Sequence, residues 1–497
     1  MFKRRSRRIL TSIPVIPLLV SCASPGGPAA PSTSVGDEDP VISLCKLIVG
    51  TTHEDLPTEV VEFAKRHIMD QISITMGGSG QEGVRAVVDL VKEQGGKEES
   101  FIPFYGGKVP APLAGMAIGP MARALDLGDV HPDNGHTAEY VLPAVLGALG
   151  LKDKVSGKEL ITAFVLGEEV LVRIGAGTQA FKQPGGLVDQ LGFYIFGCIA
   201  GVAKLLGLDL EQTIAAMGIA KAMTQPHDMA MYMPATLMVR VHHGFVAQDA
   251  ITCCLLAKRG ITGPKEILLG PRGFYQVLTK GTWEVQPELV TKGLGEEWLF
   301  TRTMFKPYTA CKFTHTGVTA MIELMEEHEF KPEDIAKVHG NLSVAGWMIC
   351  TPTEAKWNPQ TEYDAQFSFP YTVATAAFEK KFFMEEYKEP ARGRRDVRDL
   401  MTKVTAAKDP ELGDFVTRLT VTLKDCREFT KVCSVVKGCQ EKPFSWEDIK
   451  DRAKSLALYS AHKVGDEKLD LLIERVRTLE AVKDVVEEVI LLITPTK

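Results

Sequence analysis

From Val41 to about Thr301, apolar residues recur at spacings of three and four, the pattern of helices that bury one face. The stretch LPTEVVEFAKRHIMDQISITM is one such helix, with Pro57 in its first turn, where a missing N–H breaks no hydrogen bond. Two further helix starts carry their own caps: Ser156 with Glu159 before LITAFVLGEEVLVRI, and Asp209 with Gln212 before TIAAMGIAKAM. In each pair the first side chain and the residue three positions on satisfy backbone N–H groups that the helix start leaves open. Runs such as IFGCIAGVAKLLGL carry small residues on more than one face, which predicts helices packed closely inside a bundle.

After about residue 302 the period changes. IAKVHGNLSVAG and FVTRLTVTLKDCREFTKVCSVVKG alternate apolar and polar residues, and the second carries a turn at Lys424-Asp425, so it reads as an antiparallel hairpin. A helix from Gly317 to His328 lies between the strands. The chain then returns to helix: Ser445 and Asp448 cap IKDRAKSLAL, and KLDLLIERVRTLEAVKDVVEEVILL follows. The fold expected is mainly α, with a large helical bundle domain formed by both chain ends and a smaller inserted α+β lid domain. Its divisions are 1–40 leader and tether, 41–301 first helical part, 302–440 lid, and 441–497 helical return.

The first forty residues stand apart. MFKRRSRRILTSIPVIPLLVSC has a basic start, a short apolar stretch and small residues before Cys22, the layout of an export signal. SRRILTS resembles a twin-arginine signal, and LVSC resembles a lipobox, which implies bacterial export with a lipid anchor at Cys22. An Arg- and Ser-rich organelle presequence is the rival reading, and a cytoplasmic location stands as the further alternative. The Pro-, Ser- and Gly-rich ASPGGPAAPSTSVGDEDP would be a tether. For the rest, 24% charged and 45% hydrophobic residues with a net charge of −6 describe an ordinary globular chain and argue against a nucleic-acid partner. The ten cysteines show no zinc spacing, and Cys253 and Cys254 read as core.

Three clusters could carry chemistry. ALDLGDVHPDNGHTAEYVLP crowds Asp126, Asp129, His131 and His136 into a loop, with a helix beginning near Tyr140. It reads either as a capping turn or as one wall of an anion pocket at a helix N-terminus. MVRVHHGFVAQDA offers Arg240, His242 and His243, either in a surface loop or in a site. TRTMFKPYTACKFTH gathers Arg302, Lys306, Tyr308, Cys311, Lys312 and His315. Lys306 precedes a proline, so it is extended rather than mid-helix, and a cation fixed there suits a carboxylate. MGGSGQEG lacks the spacing of a dinucleotide fingerprint, and no phosphate loop or nucleophile elbow is present.

Taken in order, VPAPLAGMAIGPMARALDLGDVHPDNGHTAEYVLPAVL, HHGFVAQDAI, FKPYTACKFTHTGVTAMIEL, PQTEYDAQFSFPYTVATA and RLTVTLKDCREFTK resemble the MmgE/PrpD family of 2-methylcitrate dehydratases, cis-aconitate decarboxylases and an iminodisuccinate epimerase. The resemblance runs from about residue 41 to 490. It implies homodimers, no metal or organic cofactor, and a di- or tricarboxylate as substrate. By that likeness Asp126, His136 and Lys306 are the catalytic set; Arg240, His242, Tyr308 and Lys312, from the second and third clusters, are the candidate substrate-binding residues. It also shows departures: Gly128 replaces an acid, Val130 a threonine, Leu191 or Gly192 a histidine, and Val239 a lysine.

The family's reactions make or break a C–H bond beside a carboxylate. Cations must hold the carboxylates and stabilise the developing charge, the part expected of Lys306 and then Arg240. A proton carrier is needed as well, the part of His136, with Asp126 orienting it or acting as partner base. The activity expected is a hydro-lyase of the 2-methylcitrate dehydratase type. Isomerisation or decarboxylation of a related acid, and carboxylate binding without catalysis, are the alternatives.

Overall fold

The computed structural model describes residues 38–179, 192–223, 236–279 and 284–495. The signal-like leader with Cys22, nearly all of the tether, and Leu191 lie outside the described residues. The fold is mainly α. Helices Pro40–Gly50, Thr58–Gly78, Ala111–Arg123, Ala138–Ala148, Gly157–Thr178, Tyr194–Leu206, Leu210–Lys221 and Met238–Lys258 come first along the chain, and Trp446–Ala457 and Asp466–Arg477 near its end. The first half also holds a short antiparallel pair, β1 (Ser100–Phe101) with β2 (Lys108–Val109).

The local signals act as read. Pro57 precedes the Thr58–Gly78 helix as its N-cap. Ser156 with Glu159, Asp209 with Gln212 and Ser445 with Asp448 each form a reciprocal capping box. The small residues allow backbones to meet: a β-carbon built on Gly119 would fall 2.4 Å from the backbone nitrogen of Gly244. At that crossing the Ala111–Arg123 and Met238–Lys258 helices touch backbone to backbone, which any larger residue would prevent.

Four strands form the second sheet: β3 (Ile335–Leu342), β4 (Val404–Lys408), β5 (Thr417–Leu423) and β6 (Glu428–Cys433), in the order β4-β3-β5-β6. β4 runs parallel to β3, and the β5–β6 hairpin turns at Lys424-Asp425. Leu419, Val421 and Leu423 of β5 point inward, as period-two alternation requires. The Lys312–His328 and Phe369–Glu379 helices pack together beside this sheet, and Phe369 fills the space above Gly317 and Gly340. The apolar core falls into two clusters. One draws on residues 41–305 and 444–493; the other draws mostly on residues 310–433, joined by Ile74, Leu125, Leu127, Val239 and Leu456.

Three local expectations are corrected. The helix expected from Gly317 starts at Lys312, directly after Cys311, whose ψ of 130° is not helical. The SVAG after β3 is not strand: the Ser343 hydroxyl accepts from the Gly346 N–H and opens a helix, Val344–Cys350. Arg240, His242 and His243 sit on the Met238–Lys258 helix rather than in a loop.

Candidate active site

An isolated antiparallel bridge builds the site. Val130 and Met304 exchange both backbone hydrogen bonds, at 2.9 Å each, and two residues further on the chain delivers Lys306 to Asp126. Asp126 ends the turn after the Ala111–Arg123 helix with φ 48°, a left-handed conformation that aspartate tolerates better than most residues. Both its carbonyl and its carboxylate thereby meet one cation. The Lys306 ammonium donates to the Asp126 carbonyl oxygen at 2.9 Å and lies 3.2 Å from Oδ1. The Arg123 guanidinium donates to the same Oδ1. Burial alone would raise the Asp126 carboxyl, but the Lys306 and Arg123 charges outweigh it and hold the group below its usual value.

His136 Nε2 stands 3.9 Å from Asp126 Oδ1. Its Nδ1 donates to the Asp129 carbonyl at 2.8 Å, which fixes the tautomer and turns Nε2 toward Asp126. The His136 side chain keeps 22% of its surface exposed, against 1% for Lys306 and 5% for Asp126. Of the three side chains, the imidazole is therefore the one that water reaches. The other histidine of the opening cluster has a different task. His131 Nδ1 accepts from the Asp133 N–H and meets the Asn134 amide, while Nε2 donates to the Leu299 carbonyl. Burial pushes it down to about 4, so it stays neutral and braces the turn.

The helix N-terminus expected to receive a substrate carboxylate is filled by the chain itself. Asp129 accepts from Thr137 N at 2.9 Å and Ala138 N at 3.1 Å, capping the Ala138–Ala148 helix. The remaining sequence-predicted residues spread outward. Arg240 donates to the Glu82 carbonyl at 2.8 Å, faces Glu362 at 3.6 Å and lies over the Tyr363 ring. His242 meets the Tyr140 hydroxyl at 2.9 Å, and Tyr308 meets Thr319 at 3.1 Å. Lys312 is buried with no hydrogen bond to its Nζ among the described residues. Burial first, and then Lys306, push its ammonium down to about 8. At the departures, Val239 is a core residue and Val130 supplies the bridge.

Several working residues have no motif. Arg123 also approaches Glu139 Oε1 at 3.4 Å. Glu139 is fully buried and is met by His243 Nε2 at 2.9 Å. Arg452 donates to the carbonyls of Lys306 at 2.6 Å and Leu127 at 2.8 Å and faces Asp70 at 3.2 Å, clasping both chains of the bridge. The signal for each was a lone charge on an apolar helix face: Arg123 closes APLAGMAIGPMAR, and Arg452 falls between Ile449 and Leu456 at helical spacing.

Among the described residues, His67, Asp129 and Glu168 could hold a metal ion, with ligand atoms within 4.8 Å of one another. The proton count favours a different occupant. The Thr137 hydroxyl has one hydrogen, yet it donates to Asp129 Oδ2 at 2.6 Å and also touches Glu168 Oε2. One carboxyl must supply the second hydrogen, and burial, with Asp129 beside it, pushes Glu168 well above the usual carboxylate range. A neutral Glu168 donating to Thr137 satisfies the contact without a cation. A separate cavity of about 420 Å³ is lined by Phe63, Arg66, Trp298, Phe305 and Phe444, and by none of Asp126, His136 or Lys306.

The chain matches the MmgE/PrpD N-terminal domain over residues 42–286 and the C-terminal domain over residues 308–479. A cis-aconitate decarboxylase-like protein, oryM, of Aspergillus oryzae is 26% identical, covering 89% of this chain and 95% of that protein. The cis-aconitate decarboxylase of Aspergillus terreus is 28% identical over 74% of this chain and 78% of its own length. The mouse cis-aconitate decarboxylase is 25% identical over 88% and 91%. With both domains matched in order across most of its length, the chain belongs to the MmgE/PrpD family.

Proposed function

We propose that this protein is a cofactor-independent lyase acting on a small polycarboxylate, with His136 as the proton carrier, Lys306 as the carboxylate-facing cation and Asp126 as the group that holds both. The carrying observation is the shared oxygen: Asp126 Oδ1 lies 3.2 Å from the Lys306 ammonium and 3.9 Å from His136 Nε2. An acid, an imidazole and an ammonium meet within the span of one citrate-sized molecule. Lys306 has three N–H groups and, among the described residues, directs two at Asp126; in this reading the third serves a substrate carboxylate.

The relatives are named as cis-aconitate decarboxylases, which favours carboxy-lyase chemistry over the dehydration expected from the sequence. In that reaction a C–C bond to a carboxylate breaks, CO₂ leaves, and the electron pair stays conjugated with a neighbouring carboxylate. His136 then delivers a proton to carbon. The cation beside Asp126 stabilises the charge while it is spread over the acid. The residues at Gly128, Val130 and Val239 depart from the family pattern and favour a related acid over cis-aconitate itself; the hydro-lyase expected from the sequence stays as the second reading. In that case His136 removes the proton beside the carboxylate and hydroxide leaves.

Purified protein incubated with cis-aconitate, citrate and 2-methylcitrate decides the matter. CO₂ release that disappears in His136→Ala supports the carboxy-lyase. New alkene absorbance without CO₂ supports the hydro-lyase. Thermal stabilisation by these acids without any turnover overturns catalysis in favour of a binding protein.

A further inference from the structure

We infer that Glu139 is a positioning residue of this site: its carboxyl titrates as one unit with the His136 imidazole and occupies the space that a side chain on residue 128 would take. The inference rests on the reading of His136 as the proton carrier.

The geometry begins with Gly128. A β-carbon built there would fall 2.3 Å from Oε2 of Glu139 and 3.1 Å from its Cδ. Glu139 reaches that volume from the first turn of the Ala138–Ala148 helix, and only the missing side chain of Gly128 admits it. The volume holds one carboxyl, supplied from the helix and not from the loop.

The two Glu139 oxygens differ. Oε1 is ringed by nitrogen: His243 Nε2 at 2.9 Å, His136 Nδ1 at 3.3 Å and Arg123 Nε at 3.4 Å. Oε2, in the space beside Gly128, has no hydrogen-bond partner among the described residues. A carboxyl proton therefore sits on Oε2, while Oε1 faces the imidazole. Among the described residues, the charged and titratable groups around Glu139 are Arg123 from the preceding helix, His243 from the Met238–Lys258 helix, Asp126, Asp129 and His136 from the loop, and Lys306 from across the bridge. Burial is the largest influence and, with Asp129 and Asp126 adding to it against Arg123 and Lys306, pushes the carboxyl up to about 8.

Two consequences follow from 3.3 Å. While Glu139 holds its proton it adds no charge to those already around His136. When Glu139 ionises, a full negative charge stands against the His136 Nδ1–H, and the imidazole holds a second proton more tightly. Groups this close lose their protons in steps that belong to the pair. The pair thus keeps one proton to higher pH than either group would alone, so a proton for carbon remains available on the alkaline side.

The test uses the full chain with ¹³C/¹⁵N-labelled histidine, the His136 resonance being assigned by its loss in His136→Gln. Its midpoint is followed with pH in wild type, in Glu139→Gln and in the double variant Gly128→Asp/Glu139→Ala, beside the pH profile of turnover. Glu139→Gln keeps shape and contacts but cannot ionise. Its His136 midpoint and the alkaline limb of turnover are expected to fall by at least about one pH unit, the scale set by a charge at this distance. The double variant, which returns a carboxyl to the same volume from residue 128, is expected to restore both. A His136 midpoint that stays put in Glu139→Gln overturns the inference, and so does a double variant that folds yet fails to restore it. Wild type without turnover on the acid panel overturns the proposed function alone, because the resonance still reports the coupling.

Discussion

The Lys306 ammonium and Asp126 are 180 residues apart in sequence, yet Nζ donates to the aspartate's own carbonyl oxygen and lies 3.2 Å from its Oδ1. Both side chains are almost fully buried, so neither charge is tolerable without the other. Lys306→Met is expected to lower turnover by at least about 100-fold and to destabilise the fold by about 3–5 kcal/mol at neutral pH. The sign with pH follows from Asp126, whose folded carboxyl is held below its unfolded value by Lys306 and Arg123. That stability is present above the unfolded carboxylate range, about pH 4, and is lost as pH falls through the folded value. Removing Lys306 lifts the folded value and shrinks the contribution. Urea titrations from pH 3 to 7 check this; equal stability of variant and wild type across the range would refute it.

The two histidines of the loop separate stability from activity. His136→Gln is expected to abolish turnover while leaving the melting temperature within a few degrees, because the imidazole is partly exposed and a glutamine amide can still donate to the Asp129 carbonyl. His131→Ala should do the reverse first, removing the brace between Leu299 and the Asn134 turn. His131 is pushed down to about 4 in the fold, so its unfolded form takes up a proton first. Its contribution is present above about pH 6.5 and is lost as pH falls toward 4. The acid loss of stability between those values should flatten in His131→Ala, measured by calorimetry at steps of half a pH unit.

These cases show what the chain made legible. Caps, hairpin and helix periods are local signals, and the structure follows them at Ser156, Asp209, Ser445 and Lys424-Asp425. The grouping of Asp126, His136 and Lys306 came from likeness to a family, since nothing local announces that Val130 will pair with Met304. Arg452 was missed because its partners, Leu127 and Lys306, lie far along the chain, and Arg123 and Glu139 because each reads as a lone charge on an apolar helix although their neighbours Asp126 and His136 are three residues away. Arg240 is a different case: a cation beside two histidines reads as a substrate contact, and the fold places the Glu82 carbonyl, Glu362 and the Tyr363 ring against it as well.

The hydrogen between Thr137 and Glu168 can be tested without any substrate. If Glu168 is protonated, Glu168→Gln keeps a donor toward the Thr137 hydroxyl and removes a group that the fold must hold neutral. A carboxyl raised in the fold stabilises fully below its unfolded value, about pH 4.5, and loses that contribution as pH rises. The variant should therefore melt a few degrees higher than wild type at pH 8, with the gap closing at pH 5. Asp129→Asn should be strongly destabilising instead, since its carboxylate accepts two backbone N–H groups and the Thr137 hydroxyl. Tight binding of zinc or manganese by wild type, lost in Glu168→Gln, would contradict the proton assignment.

Arg452 offers the test of how the bridge is held. Its guanidinium donates from Nη1 to the Lys306 carbonyl and from Nη2 to the Leu127 carbonyl, while Nε faces Asp70. Burial pushes Asp70 up, and Arg452 is the first of the charges that oppose this. Three directions from one planar group cannot be reproduced by an ammonium. Arg452→Lys is thus expected to behave much like Arg452→Met, each destabilising by about 3–5 kcal/mol by leaving Asp70 and two carbonyls unmatched. Arg452 touches neither Asp126 nor His136 among the contacts described, so its effect on catalysis must pass through the placement of Lys306. That effect should show as lower kcat with the alkaline limb of the pH profile unmoved, because the His136 and Glu139 pair is left intact. A lysine variant that matches wild type in both stability and kcat would show that the clasp on Lys306 and Leu127 does not position the site.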